Sequence, residues 1–188
     1  MDSLGDGVGT NEGLGVGSGL HEPVMWRTHW TLEKRDGDGA TYEGGIEAFK
    51  RDVEPYEVIE MEGNLLMNIG GSAIWDLVTG LATYVAFSNA NSYLGVGDSA
   101  AAEAVGQTDL QAAVNKLRKA MNATYPSYVT RVITFQSDFT GAEATYTWAE
   151  VGTFNAAAAG QMLNRKVQAL GVKGAGATWT LTETITLT

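Results

Sequence analysis

The stretch Thr178-Trp179-Thr180-Leu181-Thr182-Glu183-Thr184-Ile185-Thr186-Leu187-Thr188 decides the fold class. Threonine takes every second position, and Trp179, Leu181, Ile185 and Leu187 fall on the alternate ones. A period of two puts successive side chains on opposite faces of an extended chain, so this is a long strand with a β-branched outer face and an apolar inner one. Glu183 alone interrupts the apolar face. A carboxyl group there needs a partner, and Arg131, Arg165 or Lys166 could supply one. Two roles stand open for it: a paired or edge-exposed structural acid, or a catalytic acid. As the last strand it is expected to close its sheet.

Working outward, Trp26–Lys34 alternates Trp26, Thr28, Trp30 and Leu32 against Arg27, His29, Thr31 and Glu33, a second strand with an inward aromatic face. Arg35-Asp36-Gly37-Asp38-Gly39 follows as a hairpin turn. It has part of the acidic, glycine-spaced pattern of a calcium loop, without the remaining ligands or the distal Glu. Further strands are expected at Tyr56–Met61, Val129–Phe139, Ala144–Val151 and Met162–Val167. The best helix candidate is Leu65 to Thr79, with Asn64 as N-cap, Leu66, Ile69, Ala73 and Leu77 on one face, and Gly80 at its C-terminal end. Thr108-Asp109-Leu110-Gln111 has the spacing of a capping box and predicts a second, short helix. Together these make a mainly β protein: an antiparallel β-sandwich, jelly-roll-like, with one or two short helices and an extended N-terminal arm. The arm is residues 1–22, with seven glycines among its first twenty positions, too little apolar surface to fold alone. It packs either on its own domain or on a neighbouring subunit. Residues 23–188 form the single β-rich domain.

Composition narrows the function classes. The 188 residues carry 12 basic and 22 acidic side chains, a formal charge of −10. That balance opposes nucleic-acid binding, which depends on clustered Lys and Arg. With no Cys, thiol nucleophiles, disulfide frameworks, zinc fingers and cysteine-held iron–sulfur clusters are excluded, and two His exclude a histidine-rich metal centre. Charge is uneven: residues 1–64 hold 14 acids and 5 bases, residues 65–188 hold 8 and 7. No positively charged leader precedes an apolar run, so no signal peptide is expected. The apolar stretch Leu65 to Phe87 is long enough for a bilayer, but Asn68, Asp76 and three glycines interrupt it. It reads as a core helix with a following segment, and no membrane partner is expected.

The remaining constellations are weak. His21 and His29, with Glu22 and Glu33 nearby, have metal-ligand chemistry but no ligand spacing, so no metal and no cofactor is expected. Gly95-Val96-Gly97-Asp98-Ser99 lacks the Lys-Ser/Thr pair of a phosphate loop and the third glycine of a dinucleotide fingerprint; it reads as strand into turn. Paired glycosidase carboxylates leave no trace in sequence. The five Trp and seven Tyr either pack the core or form a sugar-stacking platform. No catalytic residue is assigned, and the chain is read as no enzyme.

A longer pattern remains. Trp30-Thr-Leu-Glu-Lys, Gly63-Asn64-Leu65-Leu66-Met-Asn68-Ile-Gly70, Tyr93-Leu-Gly95-Val-Gly97-Asp98-Ser99 and Gln107-Thr108-Asp109-Leu110-Gln111 occur in order. Lys116-Leu-Arg-Lys119-Ala-Met121, Tyr125-Pro126, Trp148-Ala-Glu-Val, Phe154-Asn155-Ala, Met162-Leu163-Asn164-Arg165-Lys166-Val167, Leu170-Gly171 and Thr178-Trp179-Thr180-Leu181 follow. From about Trp26 onward the chain resembles a family of small virion structural proteins of tailed bacteriophages. The resemblance implies no reaction and no cofactor, but a part bound in many symmetric copies to other virion proteins. The expectation is a head decoration (cement) protein, a homotrimer on the exterior of the phage head, assembled in the host cytoplasm. Its partners would be the major capsid protein and its own copies, the arm reaching an adjacent subunit. The alternatives are a neck, tail or fibre component and, in another class, a carbohydrate-binding module for a cell surface.

Overall fold

The computed structural model describes residues 26–188; the expected arm, residues 1–22, lies outside the described residues. In chain order the elements are β1 (Trp26–Asp36), α1 (Gly45–Asp52), β2 (Glu57–Glu62), β3 (Leu65–Leu66), α2 (Asn68–Thr79) and β4 (Tyr93–Gly97). Then come β5 (Lys116–Ala120), β6 (Ser127–Val129), β7 (Val132–Phe139), β8 (Thr147–Phe154), β9 (Met162–Val172) and β10 (Ala177–Leu187). Every pairing is antiparallel. One five-stranded sheet runs β2-β1-β10-β7-β6 and the other β3-β9-β8-β4-β5. The protein is therefore mainly β, with two antiparallel sheets and two short helices, as the alternating runs predict.

The core lies between the sheets. Trp30, Leu32, Phe135, Phe139, Trp179, Leu181 and Ile185 face inward from one; Leu94, Val96, Trp148, Val151 and Leu163 from the other. Trp148 meets Trp179 and Phe139 edge-on across the interface, each pair with centroids 4.8 Å apart. A smaller cluster, Met67, Leu110, Phe154 and Met162, packs on the outer side of the second sheet. Two register shifts in β8–β9, between Trp148 and Glu150 and between Thr153 and Phe154, reset which residues point inward. They let Trp148, Val151 and Thr153 face the core while Glu150 and Phe154 point away.

Five expectations about elements need correction. β10 does not close its sheet; it is the central strand, between β1 and β7. Its threonine face is partly covered: Thr178 accepts a bond from the Gly39 amide (2.8 Å) and donates to the Gly37 carbonyl (2.9 Å), and Thr180 donates to Asp138 (2.7 Å). Arg35–Gly39 is not a hairpin turn. β1 continues through Asp36, and α1 fills the connection to β2. That helix is only eight residues long, with Ile46 and Phe49 as its large apolar side chains; it is held by Phe49, buried beneath Gly37 and Gly39, where a Cβ on Gly39 would come within 2.3 Å of Ile46. The helix expected from Leu65 starts three residues later, because Leu65 and Leu66 pair with β9, and Asn64 turns its side chain to the interior instead of capping. Its Gly80 terminus holds, in the left-handed conformation at φ 69°. Leu77, expected on the buried face, is 42% exposed; Gly70, Ala73 and Asp76 are buried instead.

Thr108–Gln111 forms no helix. The amides of Gln111 and Ala112 donate to Glu150 (2.9 and 2.7 Å), and Lys116 and Arg118 bind Asp109. Val129–Phe139 is two strands, since Thr130 at φ 55° and Arg131 make a two-residue hairpin between β6 and β7.

Candidate functional site

Two features stand apart from ordinary packing: buried carboxyl groups, and an uncharged apolar end of the sandwich. Glu183 enters the interior from β10 and is fully buried. None of Arg131, Arg165 or Lys166 reaches it. Its oxygens instead accept bonds from the Thr153 hydroxyl and the Asn164 amide, cross-strand partners on the opposite sheet, and from the Asn64 amide at 3.4 Å. Burial pushes its carboxyl up to about 8, against the pull of those three donors, so at pH 7 it is mostly the neutral acid. Thr153, able to donate or accept, serves either protonation state.

Arg165 and Glu150 form a separate pair, both side chains fully buried, at 2.7 Å. Arg165 also donates to Gln107 (3.1 Å) and to the Ala101 carbonyl (2.9 Å). With the Gln111 and Ala112 amides on Glu150, the pair fastens the long 98–115 connection to the outer side of the second sheet. The alternation of β8 marks Glu150 as a strand residue but not as buried, because the register shift that turns it outward under the connection has no sequence signature. Neither carboxyl opens to a cleft, and each is spoken for by structural donors, so the pair does not make a glycosidase-like centre.

The other sequence candidates are dispersed. His21 and Glu22 lie outside the described residues. His29 contacts Glu62 (2.7 Å), while Glu33 accepts from Arg35 (3.0 Å) on the same strand. Among the described residues no group of three or more His, Asp and Glu is arranged to hold a metal. Gly95–Ser99 is β4 running into a bend, its glycines required by close neighbours: a Cβ on Gly97 would lie 2.5 Å from Glu150 and one on Gly95 2.6 Å from Phe154. Trp30, Trp148 and Trp179 are fully buried core residues and Trp26 is half-buried, which leaves Trp75 as the exposed indole.

That exposed indole belongs to the second feature. Between Leu65 and Gly97 the only charged side chain is Asp76. Asp76 is itself turned in, accepting the Tyr84 amide (3.0 Å) and the Thr83 amide (3.1 Å), bonds that hold its carboxyl below the usual carboxylate range. The surface of α2 and the segment after it therefore carries no charge beyond the inturned Asp76, yet it exposes Trp75, Leu77, Val78, Leu81 and Val85. Apolar, aromatic-bearing and charge-free surface is the composition of an interface core, not of a solvated face. Trp75, Leu81 and Tyr84 rim a shallow hollow of about 420 Å³ on it, which Ser72, Asp76, Thr79 and Thr83 also line. No helix among the described residues is long and apolar enough to cross a membrane. In sequence this surface is indistinguishable from a core helix, because the apolar residues of α2 are not confined to one face and periodicity alone does not separate its covered face from its bare one.

No protein-family model, no curated protein and no solved structure matches the chain.

Proposed function

We propose that this chain is a non-enzymatic structural protein of a virion, a capsid decoration (cement) protein that binds the outer shell and its own copies and stabilises the particle through contacts between subunits. The observation that carries an assembly role is the charge-free apolar surface of α2 on a molecule whose formal charge is −10. The virion placement rests on the motif resemblance that begins at Trp26. The closed interior supports the same reading: its buried carboxyl groups are bonded to structural donors and its largest aromatics fill the core. A homotrimer is the expected assembly, with the arm of residues 1–22 reaching an adjacent subunit.

A carbohydrate-binding module is favoured by one observation, the exposed Trp75 beside Tyr84 at the hollow on α2. Only one exposed indole stands there, and the Ser72, Thr79 and Asp76 side chains that share the hollow are already bonded to backbone groups, which suits protein contact better than a sugar. The deciding experiment is the copy number of the chain in purified particles, by quantitative mass spectrometry against the major capsid protein. Hundreds of copies in fixed ratio to the shell subunit are expected. A few to a dozen would move the protein to the neck, tail or fibres, where ring symmetry limits the number. None would end the virion reading.

A further inference from the structure

At one end of the sandwich an apolar groove of about 290 Å³ opens toward the core. Its floor is Phe135, Leu163 and Ile185, buried residues contributed by both sheets. Ile74 and Leu77 of α2, with Phe87 beyond it, form one wall. A second hollow, of about 180 Å³, adjoins the groove and shares Trp26, Ile133 and Ile185 with it. The polar side chains of that second hollow are gathered at the β6–β7 turn, where Tyr128, Thr130 and Arg131 bring two hydroxyls and a guanidinium. We propose that the two hollows together bind a free medium-chain fatty acid, the alkyl chain in the groove and the carboxylate on Arg131.

The division of polarity argues for this ligand. Among the described residues the groove has no charged lining, and Arg131 is the one charged group in the adjoining hollow. An apolar pocket with a few polar groups at one end selects a molecule built the same way. The sign of the head group follows from Arg131. Among the described residues no carboxylate pairs with its guanidinium, although the chain carries 22 acids. A planar guanidinium offers paired donors that match a carboxylate. Register puts the cation where the head group needs it. Ile133, the first inward residue of β7, lies opposite Ile185, and the turn just ahead of it carries Arg131. The Leu187 amide donates to the Arg131 carbonyl at 3.0 Å, pinning that turn against the end of β10. Wall and floor are held together as well, since Phe87 meets Phe135 edge-on with centroids 6.5 Å apart. Other ligand classes fit less well. The one polar side-chain atom in the groove, Trp26 Nε1, already donates to Asn64 at 3.3 Å, which leaves a sugar no side chain to bond. A cationic amphiphile would meet Arg131. This inference stands apart from the virion reading, and neither test decides the other.

Isothermal titration calorimetry of the full chain at pH 7 tests this with octanoate and decanoate, each below its micelle concentration. Saturable binding is expected, tighter for decanoate by about fifteenfold, since each buried methylene is worth roughly fourfold. Two variants at exposed positions separate head from tail. Arg131→Gln should weaken decanoate by about threefold to fivefold and leave decanol unchanged. Ala86→Trp, which fills the groove from its lining, should abolish binding of both. The thermal midpoint of each variant checks that its fold is kept. The wild-type series stands without the variants: decyltrimethylammonium should bind far more weakly than decanoate. No saturable binding of decanoate overturns the proposal, and so does equal affinity for octanoate and decanoate. A cationic amphiphile held as tightly as the carboxylate, or an Arg131→Gln variant that loses decanol and decanoate alike, overturns it too.

Discussion

Glu183 is the residue on which the interior's chemistry turns. It sits opposite Trp30 on β1 and Phe135 on β7 in the central strand of its sheet, and the groups that bind it are neutral. A fully buried carboxyl without a cation is tolerated as the acid and penalised as the anion. Its value is raised from 4.5 in the unfolded chain to about 8 in the fold. Between those values the folded state binds more protons than the unfolded state, so this group's contribution to stability is fully present below about pH 4.5 and is lost as pH rises through 8. The slope inside that window is at most about 1.4 kcal/mol per pH unit. Glu183→Gln keeps the shape and a hydrogen-bonding end but cannot ionise. Urea unfolding of both proteins at pH 5 and pH 8 should show the variant gaining on the wild type by about 2 kcal/mol or more at the higher pH. A difference that stays constant across that range would mean Glu183 does not carry the proton. Glu150, equally buried, is the contrast: its bond to Arg165 supplies the cation that Glu183 lacks.

At the scale of elements, α2 shows how closely packing is specified. Gly70 faces β9, where a Cβ would lie 2.2 Å from the Leu163 carbonyl oxygen, which already accepts the Met67 amide at 3.0 Å. Gly71, one residue on, has nothing within 4 Å of the same position. Gly70→Ala must lift the helix off the strand and should cost about 1–3 kcal/mol. Gly71→Ala removes only the entropy of a helical glycine and should add roughly 0.5–1 kcal/mol. Thermal unfolding of the two variants gives opposite shifts if this docking is right; equal shifts would refute it. The same helix marks the limit of sequence reading. Its Gly80 stop was legible because a left-handed C-terminal residue is a local requirement. Its start was not, because Leu65 and Leu66 join β9, nearly a hundred positions away. Strand identity was likewise local and legible in β1, β8, β9 and β10. Strand order was not, and the long threonine strand, expected at the end of the sheet, lies at its middle. α1 was not legible because it is only eight residues long, too short for its Ile46 and Phe49 spacing to mark a helix before Phe49 docks. The candidate surface was visible only in part, as an apolar run with a single acid; which side of it stays bare is a property of the assembled sandwich.

At the scale of the molecule, charge decides where copies can meet. Each chain carries a formal −10, so bringing acidic faces together costs energy that salt only partly screens. A contact between copies is therefore expected where charge is absent, and the α2 surface with Trp75, Val78, Leu81 and Val85 is such a place. Val78 is 69% exposed and Leu81 73% exposed, so replacing them removes little of the fold's own packing. Val78→Asp with Leu81→Asp puts two like charges into each copy's patch, and around a symmetry axis every one of them faces another. The double variant should keep its thermal midpoint, since exposed substitutions shift stability by about 0.5 kcal/mol or less. Its sedimentation should nonetheless fall to that of a monomer at micromolar concentration while the wild type remains oligomeric. A wild type that oligomerises and a variant that stays with it would place the self-contact elsewhere, on the sheet edges with Tyr56 and Val58 or with Tyr128 and Val129. A wild type that is monomeric at every concentration, but whose particle binding the double variant abolishes, would assign the surface to the shell rather than to the protein's own copies.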